Sequence, residues 1–174
     1  MRRLTAAIAL ALLVSLAGCS GAVGDPFAAD ETDAAAGDVV TATDASANAT
    51  GVDHTLRVEA NESTAGSELE SVSATYPREA FEVEGAKHGA VELGVDTDGD
   101  GDAEREFNES HVSGVNNNEY SFTVELDTGY ALDRGDAVVV TYPAVDNPDE
   151  SGEYEVAVTL NDDQTENGTL AVEA

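Results

Sequence analysis

Apolar residues recur at every second position in short segments between Val52 and Val172, and no long segment has the 3.6-residue period of a helix. In the first segment Val52, Leu56 and Val58 share one face, and Arg57 falls on the other. This alternation is typical of strands that bury one face. The segments are residues 52–60, 72–76, 91–95, 120–126, 137–142, 154–160 and 170–172. Seven or eight short strands of this kind predict an all-β fold, an antiparallel β-sandwich.

Segments rich in Gly, Asn, Asp or Pro separate these strands and predict turns. The predicted turns are residues 96–102, 115–118, 134–136, 146–152 and 161–168.

The composition changes near residue 50. Residues 20–50 are mainly Ala, Gly, Asp, Thr and Ser, so we predict a flexible acidic linker over residues 19–50, with a reach of order 30 Å. A short strand over residues 38–43 is the alternative within it. Residues 51–174 form the predicted sandwich, which is long enough to bury one core without a disulfide.

The N-terminus has the layout of a secretory signal. Arg2 and Arg3 precede an apolar run over residues 6–17, which is shorter than the ~20 residues that span a bilayer. The run ends in Leu16, Ala17, Gly18 and Cys19. These residues resemble the lipobox of prokaryotic lipoproteins, which implies a signal peptide over residues 1–18 and a lipid anchor on Cys19. The alternative is an ordinary cleaved signal with an incidental cysteine.

The arginine pair also resembles a twin-arginine export signal, which carries folded proteins. Because Arg2 directly follows Met1, the upstream half of that motif is missing. General secretory export and twin-arginine export therefore both remain open.

The charge is strongly acidic throughout the chain. Asp and Glu number 36 against seven Lys and Arg, for a net charge of −29. This composition resembles that of proteins from extremely halophilic archaea, where molar salt shortens the Debye length to ~3 Å and screens self-repulsion. A disordered acidic chain is the alternative, but the regular apolar alternation argues against it. Nucleic acid is excluded as a partner, because its phosphates would meet a negative field.

Several strand segments resemble the immunoglobulin-like β modules of secreted haloarchaeal proteins. The motifs are a strand ending in Tyr76-Pro77, GVDTDGDGD at residues 94–102, GDAVVVTY at residues 135–142, and Asn147-Pro148 leading to GEYEVAVTL at residues 152–160. The resemblance covers roughly residues 69–174. It implies a fold and a surface location, and it implies no activity.

One segment has the spacing of a metal-binding loop. Its residues are Asp96, Asp98, Asp100, Gly101, Asp102 and Glu104. They resemble the Asp-x-Asp-x-Asp-Gly calcium loop, whose oxygens suit a hard cation such as calcium or magnesium. With Asp96 as position one, position twelve is Phe107 instead of Glu. The alternative is an acidic turn at the tip of a β-hairpin.

Four Asn-x-Ser/Thr sequons predict N-glycosylation, and their acceptors are Asn48, Asn61, Asn108 and Asn167. The alternative is chance in a chain rich in Asn, Ser and Thr. The histidines, His54, His88 and His111, have no ligand spacing, and we expect His54 to pack inside a strand face.

These patterns predict a lipid-anchored module on the extracellular face of the cell membrane. We expect it to contact the lipid membrane through Cys19 and to interact with other cell-envelope proteins. No pair of catalytic groups is evident in the sequence, so we expect no enzymatic activity and no cofactor beyond calcium or magnesium. The alternative function is that of a divalent-cation-binding extracellular module.

Overall fold

The computed structural model describes residues 38–174. The predicted signal peptide and residues 19–37 of the predicted linker lie outside this range. The described chain forms eleven strands and two short 3-10 turns, at His88–Ala90 and Glu109–His111. The strands are β1 (Val40–Ala42), β2 (Val52–Glu59), β3 (Ser71–Thr75), β4 (Glu82–Val83), β5 (Glu92–Asp96), β6 (Arg105–Phe107), β7 (Val112–Asn118), β8 (Ser121–Leu126), β9 (Ala137–Asp146), β10 (Gly152–Leu160) and β11 (Gln164–Val172).

The strands make two antiparallel sheets. The first has the order β1-β2-β9-β5-β6, with β4 also paired to β9, and the second has the order β11-β10-β3-β8-β7. Among its crossings between the sheets, the chain passes from β2 to β3 and from β9 to β10. In the immunoglobulin arrangement strands A, B, E and D form one sheet and strands C, F and G the other, so the chain changes sheet from B to C and from E to F. The crossings from β2 to β3 and from β9 to β10 have this pattern. The predicted all-β, immunoglobulin-like sandwich is therefore confirmed.

The core lies between the sheets and follows the predicted alternation. In β2, Leu56 and Val58 are buried and Arg57 points outward. Val140 of β9 and Val158 of β10 meet them from the two sheets, and both are fully buried. Each strand thus buries every second side chain between the sheets, and this hydrophobic burial stabilises the two-sheet packing.

The structure has more strands than the apolar pattern predicts, because β1, β4, β6 and β7 lie outside the predicted segments. Two segments predicted as turns also belong to edge strands. Residues 115–118 belong to β7, and the end of residues 161–168 belongs to β11. These edge strands carry polar side chains outward. In β11 the buried Gln164 is held by hydrogen bonds to Glu59 O and to the Thr64 hydroxyl, at 2.7 and 2.8 Å. Strand positions without apolar side chains do not show in a hydrophobic pattern.

The last part of the predicted linker also belongs to the sandwich. Strand β1 pairs with β2, and the chain then turns to run parallel to β11. Ala47 N–H donates to Glu173 O, and Glu173 N–H donates to Ala45 O, both at 2.7 Å. The short strand that was the alternative for residues 38–43 is thus present, so the boundary predicted at residue 51 lies too late.

A tyrosine fixes the corner where the chain passes from β9 to β10. Tyr154 is the third residue of β10, and its hydroxyl donates to Glu150 O at 2.7 Å. This is the tyrosine corner of immunoglobulin-like folds. It holds the crossover in a chain that has no Trp and only one Cys.

A buried polar network joins three parts of the fold around His54, which is 0% exposed. His54 Nε2–H donates to Asn147 Oδ1 at 3.2 Å, and the Tyr76 hydroxyl donates to His54 Nδ1 at 3.1 Å. The Asn147 side chain in turn donates to Asp44 O and Ser46 O, at 2.8 and 3.0 Å. Only the neutral imidazole completes this pattern of donors and acceptors. The expected packing of His54 inside a strand face is therefore confirmed by its burial.

We expect His54 to make the domain sensitive to acid. Burial lowers the pKa of His54 to about 4, against a hydrogen bond with Asn147 that raises it. The unfolded chain therefore takes up a proton near pH 6.5, while the folded chain does so only near pH 4. The contribution of His54 to the free energy of unfolding is fully present above pH 6.5 and falls by about 3 kcal/mol as the pH drops to 4. Denaturant unfolding at constant molar salt measures this loss.

Matched variants distinguish the loss of stability caused by His54 from the loss caused by protonation of carboxylates. His54→Gln should lack the His54 component, so the stability difference between wild type and variant should shrink from pH 6.5 to 4. His88→Gln changes an exposed histidine and should keep the wild-type slope. Equal slopes in wild type and His54→Gln would contradict the assignment.

Candidate functional site

The acidic loop connects β5 to β6, and Asp96 at the end of β5 organises it. Asp96 is 0% exposed. Its Oδ1 accepts from Gly99 N–H at 2.7 Å, and its Oδ2 accepts from Gly101 N–H at 3.0 Å. The Arg57 guanidinium donates to the same Oδ2 at 2.8 Å. Asp96 therefore holds the loop closed from inside.

The pKa of Asp96 reflects this arrangement. Burial alone would raise the pKa, but the donors Gly99, Arg57 and Gly101 outweigh burial and hold the pKa of Asp96 below its usual range. Hydrogen bonds to the ionised form have this effect because they favour the charge. Asp96 is thus a structural carboxylate that is ionised at neutral pH.

Three exposed carboxylates converge on the outside of the loop. Asp98, Asp100 and Glu104, together with Asp96, each offer an oxygen, and these four oxygens lie within 4.8 Å of one another. Four of the five carboxylates predicted from the sequence are therefore brought together. Asp102 is outside this group, and its N–H donates to Asp100 Oδ1 at 2.9 Å. The flanking strands show that the loop is the tip of a β-hairpin.

The convergence leaves like charges close together. The N–H of Asp100 lowers the pKa of Asp98, but the charge of Asp100, some desolvation and the charges of Glu104 and Asp96 outweigh it. The net effect raises the pKa of Asp98. A hard divalent cation is the kind of ligand that such a cluster of carboxylate oxygens suits.

Arg57 changes how this cluster would receive a cation. Its guanidinium already occupies Asp96 Oδ2. Glu104 Oε2 accepts from Thr97 N–H at 2.7 Å, which leaves Oε1 open. The open ligands are therefore oxygens of Asp98, Asp100 and Glu104.

The outer face of the second sheet has a different chemistry. Two rows of outward residues cross all five strands, and none of the ten is charged. We call these two rows the hydroxyl face. The first row is Thr165, Thr159, Ser73, Thr123 and Asn116, and the second is Asn167, Ala157, Thr75, Ser121 and Asn118.

Short polar side chains form hydrogen bonds between neighbouring strands on this face. Thr159 and Thr165 share a hydrogen bond between their hydroxyls at 2.9 Å. The Asn118 side chain donates to Ser121 Oγ at 2.7 Å. Charged residues of the same face stand at its borders, and they are Glu125, Glu153 and Glu155. A net charge of −29 makes an uncharged patch of this width notable.

The first sheet shows the contrast. Its outward positions mix hydroxyls with charges along the same kind of strands. The charged ones include Asp53, Arg57, Glu59, Glu92, Asp96 and Glu106. The hydroxyl face is therefore a property of the second sheet and does not arise from strand geometry alone.

An open groove of about 880 Å³ lies at the end of the sandwich where β9 leads into β10. The Arg78 guanidinium stacks 4.0 Å from the centre of the Tyr120 ring and donates to its hydroxyl. The acidic lining is Glu79, Glu82, Glu119, Asp146 and Asp149. Five acidic residues against one arginine give this groove a net negative lining.

The four sequon asparagines are all exposed and lie in different places. Asn61 follows β2 and Asn108 follows β6, while Asn48 lies in the loop before β2 and Asn167 lies within β11. The histidines are not brought together. His54 is buried, and His111 Nδ1 accepts from Asn108 N–H at 3.3 Å in a capping turn.

The predicted signal residues lie outside the described residues. They are Arg2, Arg3, Leu16, Ala17, Gly18 and Cys19. Between residues 38 and 174, no helix has the length and apolar character needed to cross a membrane.

No protein-family model matches this chain, and no curated protein matches its sequence. An uncharacterized immunoglobulin-like protein from Nocardia farcinica is similar at 15% identity and a TM-score of 0.40, over 79% of this chain and 98% of that one. A collagen-binding domain of a Staphylococcus aureus adhesin is similar at 10% identity and a TM-score of 0.40, over 70% and 88%. The group B streptococcus pilus 2b backbone protein is similar at 14% identity and a TM-score of 0.43, over 76% of this chain. This chain spans 56% of the pilus protein.

Sequence reasoning missed Arg57 and the hydroxyl face. Arg57 is distant from the acidic loop in sequence and reaches Asp96 only because β2 and β5 both pair with β9. The hydroxyl face has a sequence signal, since Ser71, Ser73 and Thr75 alternate with apolar residues in β3. The register between strands was needed to join such residues into one surface.

Proposed function

We propose that this chain is a non-catalytic interaction module, displayed on the outer face of the cell membrane by lipid on Cys19. The observation that carries the proposal is the hydroxyl face, an uncharged surface on a strongly acidic domain. The proposed partner is a cell-envelope protein with a polar, uncharged contact surface.

Electrostatics favour this face over the rest of the domain. A partner that covers exposed carboxylates must remove their water, and this penalty is large for unpaired charges. Hydroxyl and amide groups exchange hydrogen bonds with a partner at much lower penalty. Short side chains such as Ser73 and Thr123 also lose little rotamer freedom on contact.

The size of the face indicates a weak and reversible contact. Five strands spaced ~4.8 Å apart give a width of roughly 20 Å. Two rows of side chains then cover less than the ~800 Å² per partner of a standard interface. Membrane anchoring offsets this weakness, because it confines both partners and raises their effective concentration.

The buried histidine supports a non-catalytic role. Both ring nitrogens of His54 are engaged, by Tyr76 and by Asn147, and the side chain is 0% exposed. A general base needs access to its substrate. His54 is therefore a structural residue.

Export and lipid attachment predict a specific localisation. Wild-type protein should sediment with membranes, and Cys19→Ser should release the domain into the medium because it removes the thiol that would carry the lipid. The matched control is Ser20→Ala, which makes a similarly small change outside the predicted signal peptide, keeps the cysteine and should leave the protein bound. Fractionation with mass analysis of the N-terminus measures this, and membrane retention of Cys19→Ser would contradict the anchor.

The second candidate function is divalent-cation binding at the acidic loop, favoured by four carboxylate oxygens within 4.8 Å. Calcium should raise the Tm of the wild type in molar salt, because a bound ion stabilises the folded state. Asp98→Asn combined with Asp100→Asn should abolish the increase, since it removes two open ligands. Thermal unfolding with and without calcium measures both.

A matched pair of variants controls for lost charge. Asp162→Asn combined with Asp163→Asn removes two exposed acids in the turn between β10 and β11 and should keep the calcium effect. The same calcium-dependent rise in both double variants would show that the acidic loop is not the site.

The hydroxyl face itself predicts the effect of an added charge. Thr123→Glu places a carboxylate at its centre and should lower cross-linking to envelope partners by at least about tenfold, which corresponds to ~1.4 kcal/mol. Thr141→Glu adds the same charge to the outer face of the first sheet and should leave cross-linking unchanged. Cross-linking on intact cells in molar salt, followed by mass spectrometry, measures this. Equal cross-linking yields from the two variants would exclude the hydroxyl face as the contact surface.

A further inference from the structure

Two of the four sequons share one local geometry. Asn61 Oδ1 accepts from Ser63 N–H at 2.8 Å and from the Ser63 hydroxyl at 2.7 Å. Asn108 Oδ1 accepts from Ser110 N–H at 3.0 Å and from the Ser110 hydroxyl at 2.6 Å. In each case the hydroxyl of the sequon's third residue contacts the amide of its first.

This contact fixes the direction of the acceptor nitrogen. Two donors on Oδ1 set the rotation of the amide, so Nδ2 of Asn61 and of Asn108 faces away from the Ser. Within residues 38–174 neither Nδ2 donates to a protein acceptor, and both side chains are exposed. The nitrogen that would carry a sugar is therefore free and presented.

The other two sequons lack this arrangement. Asn48 Nδ2 donates to Asp149 O at 3.3 Å, so its nitrogen is already engaged. Asn167 and Thr169 lie in β11, where residues two apart are separated by ~6.6 Å. Within residues 38–174 the Thr169 hydroxyl makes no hydrogen bond to the Asn167 amide, in contrast to the Ser hydroxyls of the first two sequons.

Packing holds β11 in this extended form. Between the two sequon residues, Gly168 faces β1, and a Cβ there would lie 2.8 Å from Val39 Cβ. Nine paired residues tie β11 to β10. The sequon at Asn167 cannot turn without separating these elements.

We propose that Asn61 and Asn108 are the N-glycosylated residues of this protein and that Asn48 and Asn167 are unmodified. The inference rests on the proposed export of the chain, because the sugar would be added outside the cytoplasm. The donor is a sugar joined through its anomeric carbon to a phosphate of a lipid carrier. Asn Nδ2 bonds to that carbon as the carbon–oxygen bond breaks, the phosphate leaves with the electron pair, and a base of the transferase takes one Nδ2 proton.

The positions of these sites agree with the proposed interaction. Asn167 is part of the hydroxyl face, whereas Asn61 and Asn108 follow β2 and β6 of the first sheet. Asn61 and Asn108 are thus outside the two rows that form the hydroxyl face.

The test uses full-length protein purified from the membranes of the cells that naturally produce it. Peptide mapping by mass spectrometry should find sugar on Asn61 and Asn108 and bare peptides for Asn48 and Asn167. Ser63→Ala should remove one glycan and Ser63→Thr should retain it, because threonine keeps the hydroxyl. Glu62→Ala, which changes the middle residue of the sequon, should also retain it.

Each other result has a defined meaning. Bare Asn61 and Asn108 in lipid-anchored protein would overturn the glycan assignment and leave the proposed function intact. Equal occupancy at Asn48 or Asn167 would show that the folded geometry does not select the acceptors, which also overturns the assignment. A chain that retains Met1 and stays inside the cell would overturn both proposals.

Discussion

The buried hydrogen bonds of Asn147 are the interaction on which the arrangement of this sandwich depends. Asn147 accepts a hydrogen bond from His54 and donates to Asp44 O and Ser46 O. It thereby joins the core of β2 to the segment that follows β1. Loss of a buried polar partner costs about 1–3 kcal/mol, which is a large fraction of the stability of a small domain. This segment then pairs with Glu173, just beyond the end of β11, and satisfies its backbone groups, which would otherwise be unpaired at the edge of the second sheet.

The few basic residues are used selectively in this acidic fold. Among the described residues there are two ion pairs, and they differ in environment. Arg134 and Glu62 are 71% and 81% exposed, so solvent and salt screen their attraction. Arg57 and Asp96 are 19% and 0% exposed, and backbone N–H groups complete the contacts of Asp96. The buried pair therefore positions the acidic loop, while the exposed pair contributes little.

The sequence predicted the fold class because the polarity of each side chain decides whether that residue is buried or exposed. Alternation in β2 and β10 translates directly into a buried face and an exposed face. The edge strands were not predicted, since β7 and β11 are stabilised by pairing and by polar contacts such as those of Gln164. The sequence pattern places β1 in the linker because its three residues gain their stability from β2 and β11. Local sequence contains no information about such distant partners.

The candidate sites also differ in whether their residues are close together or distant in the sequence. The acidic loop and the sequons were found from sequence because their residues are close together in the chain. The hydroxyl face and the Arg57–Asp96 pair arise from strands that are distant in the chain, so only the register reveals them. This difference matters for function, because a five-stranded surface is specified by the whole fold. A single exposed Thr or Ser has no meaning alone, whereas ten uncharged positions in register on an acidic domain define where a polar partner can approach without displacing water from carboxylates.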